Sequence, residues 1–306
     1  MMTESERIKN EGWLPKDFFE PETRCEYYIS AEMKKIWAIL LDLYKEFAMV
    51  CEKNNLEYFA TAGTILGAIR HKGMIPWDDD IDVVVPRKDY EKLKKLASEF
   101  KEPYFLQNSD TDPEYGFSYM RLCNSNTTIV TKPLQYADYN HGIYIDIFPL
   151  DKVSDEDIEI RRNQIYELIM KNTAYMRLNN PCKSEADIER INKYYDPNMK
   201  PVDVFREIER IASQREDDDS APYLTILVST IYAIPKTKRP KEIYNGYVDV
   251  PFEGGTKMRL PIGYEQALKI QYGDYMQYPP VEKRGVWHNC EMYADIPYKK
   301  YYKENF

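Results

Sequence analysis

Residues 76–82 read P-W-D-D-D-I-D, and V-V-V follows at once. Acids crowded against an apolar run constrain the fold more than any other feature of the chain. A purely exposed segment has no use for the valines, and a dry core does not tolerate the acids. The segment therefore reads as the mouth of a buried strand, I-D-V-V-V-P at 81–86, opening on a polar site that calls for a cation. Strand side chains at i and i+2 share a face, about 6.6 Å apart at about 3.3 Å per residue. Asp80 and Asp82 placed in this way repel each other, and one has its pKa raised. A divalent cation removes the conflict. Mg²⁺ (or Mn²⁺) takes oxygen ligands, often one or two carboxylates plus phosphate oxygens.

Asp146, in Y-I-D-I-F, has the same local form. On a neighbouring strand it would complete a three-carboxylate cluster able to hold metal against a phosphate chain. Gly63-Thr64 stands between a short strand, L-E-Y-F-A-T-A-G, and a short helix over 64–71. Exposed amides at a helix N-terminus, with a glycine permitting close approach, form an anion site. Thr64 is expected to cap the helix and touch phosphate. Arg70 and Lys72 at its end, with Arg121, are expected to clamp phosphate oxygens. Trp77 is expected to stack on a base or to pack under the loop.

Each piece has a commoner structural role when taken alone. Gly-Thr caps helices, P-W-D-D-D can start one, and Asp146 can be a buried acid paired with Arg or Lys. An EF-hand is excluded: Asp78, Asp80 and Asp82 fit, but Val83 replaces the required glycine and Asp89 the required glutamate.

Apolar residues at Met33, Ile36, Trp37, Leu40, Leu41, Tyr44 and Phe47 predict a helix over 30–54, with Ser30 as N-cap. The pattern predicts an amphipathic helix at 87–100 and strands near 104–107, 117–123, 127–131 and 142–149. Helices are expected at 154–178 and 184–216, then an acidic turn at 214–220 and a mixed tail with a helix near 263–272. The fold class is α+β: a mixed β-sheet flanked by helices, a helical segment and a mixed C-terminal region. The expected units are a catalytic core with its N-terminal helix (1–152), the helical segment (153–220), and a C-terminal region completing the acceptor site (221–306).

The 306 residues suffice for one large or two modest domains, and 43% apolar with 30% charged residues describes a folded, soluble protein. A net charge of -9 argues against nucleic acid as a partner. The basic cluster K-T-K-R-P-K at 236–241 is expected to be a solvated loop. Five scattered cysteines without C-x-x-C suit reduced thiols and no zinc site. The polar start M-M-T-E-S-E-R is unlike a signal peptide. The longest apolar stretch, 224–234, falls short of the roughly 20 residues of a membrane span. The expectation is a cytoplasmic protein, at most peripherally associated with a membrane.

Residues 62–90, A-G-T-I-L-G-A-I-R-H-K-G-M-I-P-W-D-D-D-I-D-V-V-V-P-R-K-D-Y, resemble the signature of the LicD family, which includes the fukutin-related proteins. Weaker similarity runs from about 30 to 150 and returns at 259–280. The resemblance implies a nucleotidyltransferase-like fold. It also implies transfer of a phospho-alcohol from CDP-choline or another CDP-alcohol to a hydroxyl of a cell-surface glycan, such as lipopolysaccharide or teichoic acid, releasing CMP. The group is usually phosphocholine in bacterial relatives, the first expectation here, and ribitol phosphate in the fukutin branch. The resemblance carries Asp80 and Asp82 onto the metal-binding pair, Asp146 onto the third acid, and Gly63 and Thr64 onto the phosphate-facing turn. Thr64 replaces the superfamily's second Gly or Ser, and no cysteine cluster matches the zinc-binding insertion of some fukutin-related members. His288, in R-G-V-W-H-N-C, is a further candidate. The alternatives are a nucleotidyltransferase that places NMP on a small molecule and releases pyrophosphate, and a non-catalytic nucleotide-binding module.

Overall fold

The structure, a computed structural model, describes residues 2–228, 234–286 and 288–305. Helix α1 (Glu4–Glu11) starts under a capping box made by Thr3 and Glu6. The hairpin β1 (Glu22–Arg24) and β2 (Tyr27–Ile29) leads into α2 (Ala31–Lys53). The Ser30 hydroxyl caps α2 by accepting the Met33 N–H at 3.1 Å. Ser30→Ala is expected to lower the unfolding free energy by about 1 kcal/mol, seen as a lower urea midpoint at unchanged slope. An unmoved midpoint would mean that the cap contributes nothing.

Next come β3 (Phe59–Ala60), α3 (Ala62–Leu66), β4 (Asp82–Pro86), α4 (Arg87–Lys95), β5 (Tyr104–Gln107), β6 (Met120–Asn124), β7 (Thr128–Thr131) and β8 (Ile143–Val153). The helices α5 (Ile158–Met176), α6 (Glu185–Tyr194) and α7 (Pro201–Ala212) follow. The rest comprises β9 (Tyr223–Thr225), α8 (Ile234–Thr237), β10 (Arg239–Pro240), β11 (Tyr247–Pro251), β12 (Lys257–Pro261), α9 (Tyr264–Tyr272), β13 (Cys290–Tyr293) and α10 (Tyr298–Asn305).

The fold is α+β, and β8 is the spine of its mixed sheet. On one side β8 pairs in parallel with β4, which pairs antiparallel with β3. On the other side β6 and then β9 pair antiparallel with successive parts of β8. Alternation along β8 splits the sheet chemically. Ile143, Ile145 and Ile147 enter the core with Trp37, Leu40 and Leu41 of α2, whereas Tyr144, Asp146 and Phe148 lie on the other face and stay partly open. A second cluster joins Val153 to Ile158, Ile165, Val204 and Ile208, seating α5 and α7 beside the sheet.

Four expectations are corrected. The helix expected over 184–216 is two: α6 ends at Tyr194, and α7 begins with Pro201 at its first position, where a missing N–H is harmless. The strand expected to stop at Pro149 continues to Val153, because β4 and then β9 pair with it. Asp80 precedes β4 rather than sharing its pleat with Asp82, so only Asp82 is a strand residue. The basic cluster at 236–241 is not simply solvated: Arg239 is buried and donates to Tyr244 at 2.9 Å and to Gln271 at 2.5 Å.

Candidate active site

One row of the sheet gathers the site. Asp82 on β4 lies directly across from Asp146 on β8, and Asp146 directly across from Arg121 on β6. Cross-strand partners stand on the same face, so two acids and one arginine form a line across three strands. Arg121 Nε donates to Asp146 Oδ1 at 2.9 Å. The pairing of β4 with β8 begins before Asp82, since the Asp146 N–H donates to the Ile81 carbonyl at 3.1 Å.

The loop before β4 is fixed from several sides. Trp37 Nε1 donates to the Asp78 carbonyl at 2.9 Å, and the Asp82 N–H donates to the Thr64 hydroxyl at 2.8 Å. Asp79 is buried and hydrogen-bonds His288 Nδ1 at 2.6 Å, while His288 Nε2 stands 3.6 Å from Asp80 Oδ2. His288 thus bridges two acids from a segment remote in sequence. The hydrogen bond to Asp79, with the charges of Asp80 and Asp78, lifts its pKa to about 9, so the imidazolium is the form present at neutral pH.

The other carboxyls move upward. Burial and the neighbouring Asp80 and Asp79 raise Asp78. Burial, with Asp79 and Asp146, lifts Asp80 to about 6 against the pull of His288. Burial with Asp80, Asp146 and Asp78 raises Asp82, and among the described residues no cation offsets these charges. Burial also raises Asp146, with Arg121 opposing it.

The remaining expected residues have mixed placements. Thr64 does not cap: it lies inside α3, whose N-cap is Thr61, and its hydroxyl serves the Asp82 amide. Gly63 allows a close approach, but to a carboxylate, since a Cβ there would lie 2.8 Å from Asp78 Oδ2. Arg70 donates to the carbonyls of Tyr275 and Gln277, both at 3.1 Å, so it ties down the C-terminal segment instead of presenting an open clamp. Lys72 is exposed, in a left-handed turn at φ 60°. Trp77 packs under the loop, edge-on to Tyr27 and His71. Arg121 engages Asp146, the arginine pairing weighed as the structural alternative for that acid. Sequence reasoning assigned no role to Asp79, although it belongs to the acid run, and nothing local marks His288 as its partner.

Residues 55–179 match the family described as LicD/FKTN/FKRP, nucleotidyltransferase domain. The chain carries a LicD-family domain. The lipopolysaccharide cholinephosphotransferase LicD of Haemophilus influenzae is 27% identical over 262 residues, 83% of this chain and 95% of that protein. The ribitol 5-phosphate transferase FKRP of Homo sapiens is 27% identical over 100 residues, 33% of this chain and 18% of that protein. The LicD domain contains Asp82, Arg121 and Asp146, whereas His288 lies beyond the matched span.

The acid set of the LicD domain fits a hard divalent cation by donor chemistry: it offers only carboxylate oxygens, and one carboxylate has no cation to offset it. Among the described residues no three His, Cys, Asp or Glu side chains already form a ligand group. Mg²⁺ does not require one, because it keeps waters and takes ligands from substrate phosphates. No described helix is long and apolar enough to cross a membrane.

Proposed function

We propose that this chain transfers a phospho-alcohol, phosphocholine being the first to test, from a CDP-activated donor to a hydroxyl of a glycan and releases CMP. The observation that carries this reading is the Asp82–Asp146–Arg121 row with Asp80 at its edge. The names of the relatives support a phosphotransferase acting on glycans.

A divalent cation at Asp80, Asp82 and Asp146, Mg²⁺ (or Mn²⁺), would neutralise charge on the donor diphosphate and the departing CMP. The residues of the chain position and accept. Arg121 holds Asp146 through one carboxylate oxygen. The acceptor hydroxyl attacks the distal phosphorus in line, and its oxygen forms the new P–O bond. The bond to the CMP oxygen breaks, and the hydroxyl proton passes to Asp146. The Thr64 hydroxyl fixes the Asp82 backbone, and His288 fixes Asp79.

Ligand-linked melting tests the cation. At a hundred times its Kd, Mg²⁺ should stabilise the wild type by about 2.7 kcal/mol, a rise of several degrees. Asp82→Asn should lose most of that rise. A wild-type melting temperature indifferent to both Mg²⁺ and Mn²⁺ would remove the metal from the mechanism.

A further inference from the structure

Beside the acid row lies a cavity of about 170 Å³ whose wall includes Phe117, Arg121, Thr131, Tyr139, Tyr144 and Asn289. It adjoins the proposed reaction centre, because Arg121 is bonded to Asp146. Two properties of the wall decide what it can hold.

The first is the use of its rings. The Arg121 guanidinium carbon lies 3.7 Å from the centre of the Tyr144 ring and 3.9 Å from that of Phe117. A quaternary ammonium group is held by aromatic faces around an empty centre. Here the chain's own guanidinium already takes those faces. A second fixed cation beside it would meet a repulsion that partial burial strengthens.

The second is uncommitted polarity. The side chains of Thr131, Tyr139, Tyr144 and Asn289 make no hydrogen bond among the described residues; Tyr139 is buried, Thr131 and Tyr144 are half-buried and Asn289 is exposed. Their polar atoms are open to the cavity and free to bond a ligand in place of water. Three hydroxyls and an amide around a small cavity, with aromatic surface between them, complement several ligand hydroxyls and the apolar face of a carbohydrate.

We propose that this cavity binds a hydroxylated, non-cationic group, a sugar ring or a polyol, next to the acid row. The proposal rests on the transferase reading, for which the group comes either from the acceptor glycan or from the alcohol of the donor.

Saturation-transfer NMR on the full chain tests it, with ribitol and methyl glucoside as hydroxylated probes and choline as the cationic one. The hydroxylated probes should bind and compete with each other, and choline should displace neither. Thr131→Val/Tyr139→Phe should weaken both probes about 10-fold or more without moving the melting temperature. Tyr139→Phe alone, which keeps the ring, replaces the pair if the pair does not fold. Displacement by choline, absence of binding by either hydroxylated probe, or unchanged binding in the variant overturns the proposal.

CMP release with water as acceptor then assigns the source, using CDP-ribitol, CDP-glycerol and CDP-choline. A donor KM that rises in the double variant means that the cavity holds the donor's alcohol, and an unchanged KM assigns it to the acceptor. If no donor yields CMP while the probes still bind, the transferase reading fails and the cavity assignment stands.

Discussion

Asp82→Asn is expected to cut CMP release by about 10³-fold, the scale of losing one preorganised electrostatic contact in a reaction centre. Asparagine keeps the shape and removes the charge. Because Asp82 faces Asp80, Asp146 and Asp78 with no offsetting cation among the described residues, the same change should raise the melting temperature of the metal-free protein. Asp146→Asn should behave differently. It also costs turnover, but it strips the buried Arg121 of its carboxylate partner and should lower the melting temperature. The opposite signs separate a functional acid held under repulsion from one that doubles as a structural partner. If both variants lose stability alike and Asp82→Asn keeps its turnover, Asp82 is an ordinary structural carboxylate.

Arg87→Met is expected to cost about 3–5 kcal/mol of folding stability, a large share of the 5–15 kcal/mol typical of a domain. The side chains of Arg87 and Asp151 are 2% and 0% exposed, and Arg87 Nε donates to Asp151 Oδ1 at 2.7 Å. Losing the arginine leaves a buried carboxylate without its hydrogen-bonded cation, with only the charge of Arg161 still favouring it, and its second oxygen already lacks a partner. Arg87→Met/Asp151→Leu should recover a substantial part of the loss, since removing both charges removes the desolvated orphan. The pair also bears on the site. Pro86 is in register with Leu150, so Arg87, the first residue of α4, and Asp151 on β8 come directly after the last pair of the two strands that set Asp82 across from Asp146. Reduced turnover in folded Arg87→Met is therefore expected as well. Urea titration of the wild type and both variants checks the energies. A cost below about 1 kcal/mol for Arg87→Met, the scale of an exposed pair, would contradict the buried-pair account.

Much of this arrangement is written locally. The 3–4 spacing of apolar residues and the Ser30 cap define α2, and the valines after Asp82 define β4, because both signals come from neighbours in the chain. The acid at the centre of Y-I-D-I-F marks Asp146 for the same reason. What the sequence hides is pairing at long range. The row joining Asp82, Asp146 and Arg121 depends on strand order, which no local pattern encodes. His288 reaches Asp79 across 209 residues, and Arg70 is drawn away to a carbonyl 205 residues later. Thr64 looks like a cap and sits one turn too deep, serving the Asp82 amide instead. The charge pattern of 184–216 runs on through the Pro197 and Pro201 region and reads as helix throughout, whereas the backbone breaks there into α6 and α7.

The most direct test of the central reading is the nucleotide product. The purified chain is incubated with Mg²⁺ and, in separate reactions, CDP-choline, CDP-ribitol, CDP-glycerol or CTP, and the nucleotides are separated by chromatography with Asp82→Asn alongside. Transfer of a phospho-alcohol yields CMP from at least one CDP-alcohol, and the yield is lost in Asp82→Asn. Pyrophosphate from CTP with no CMP from any CDP-alcohol would contradict it and make the chain a nucleotidyltransferase of the NMP-transferring kind.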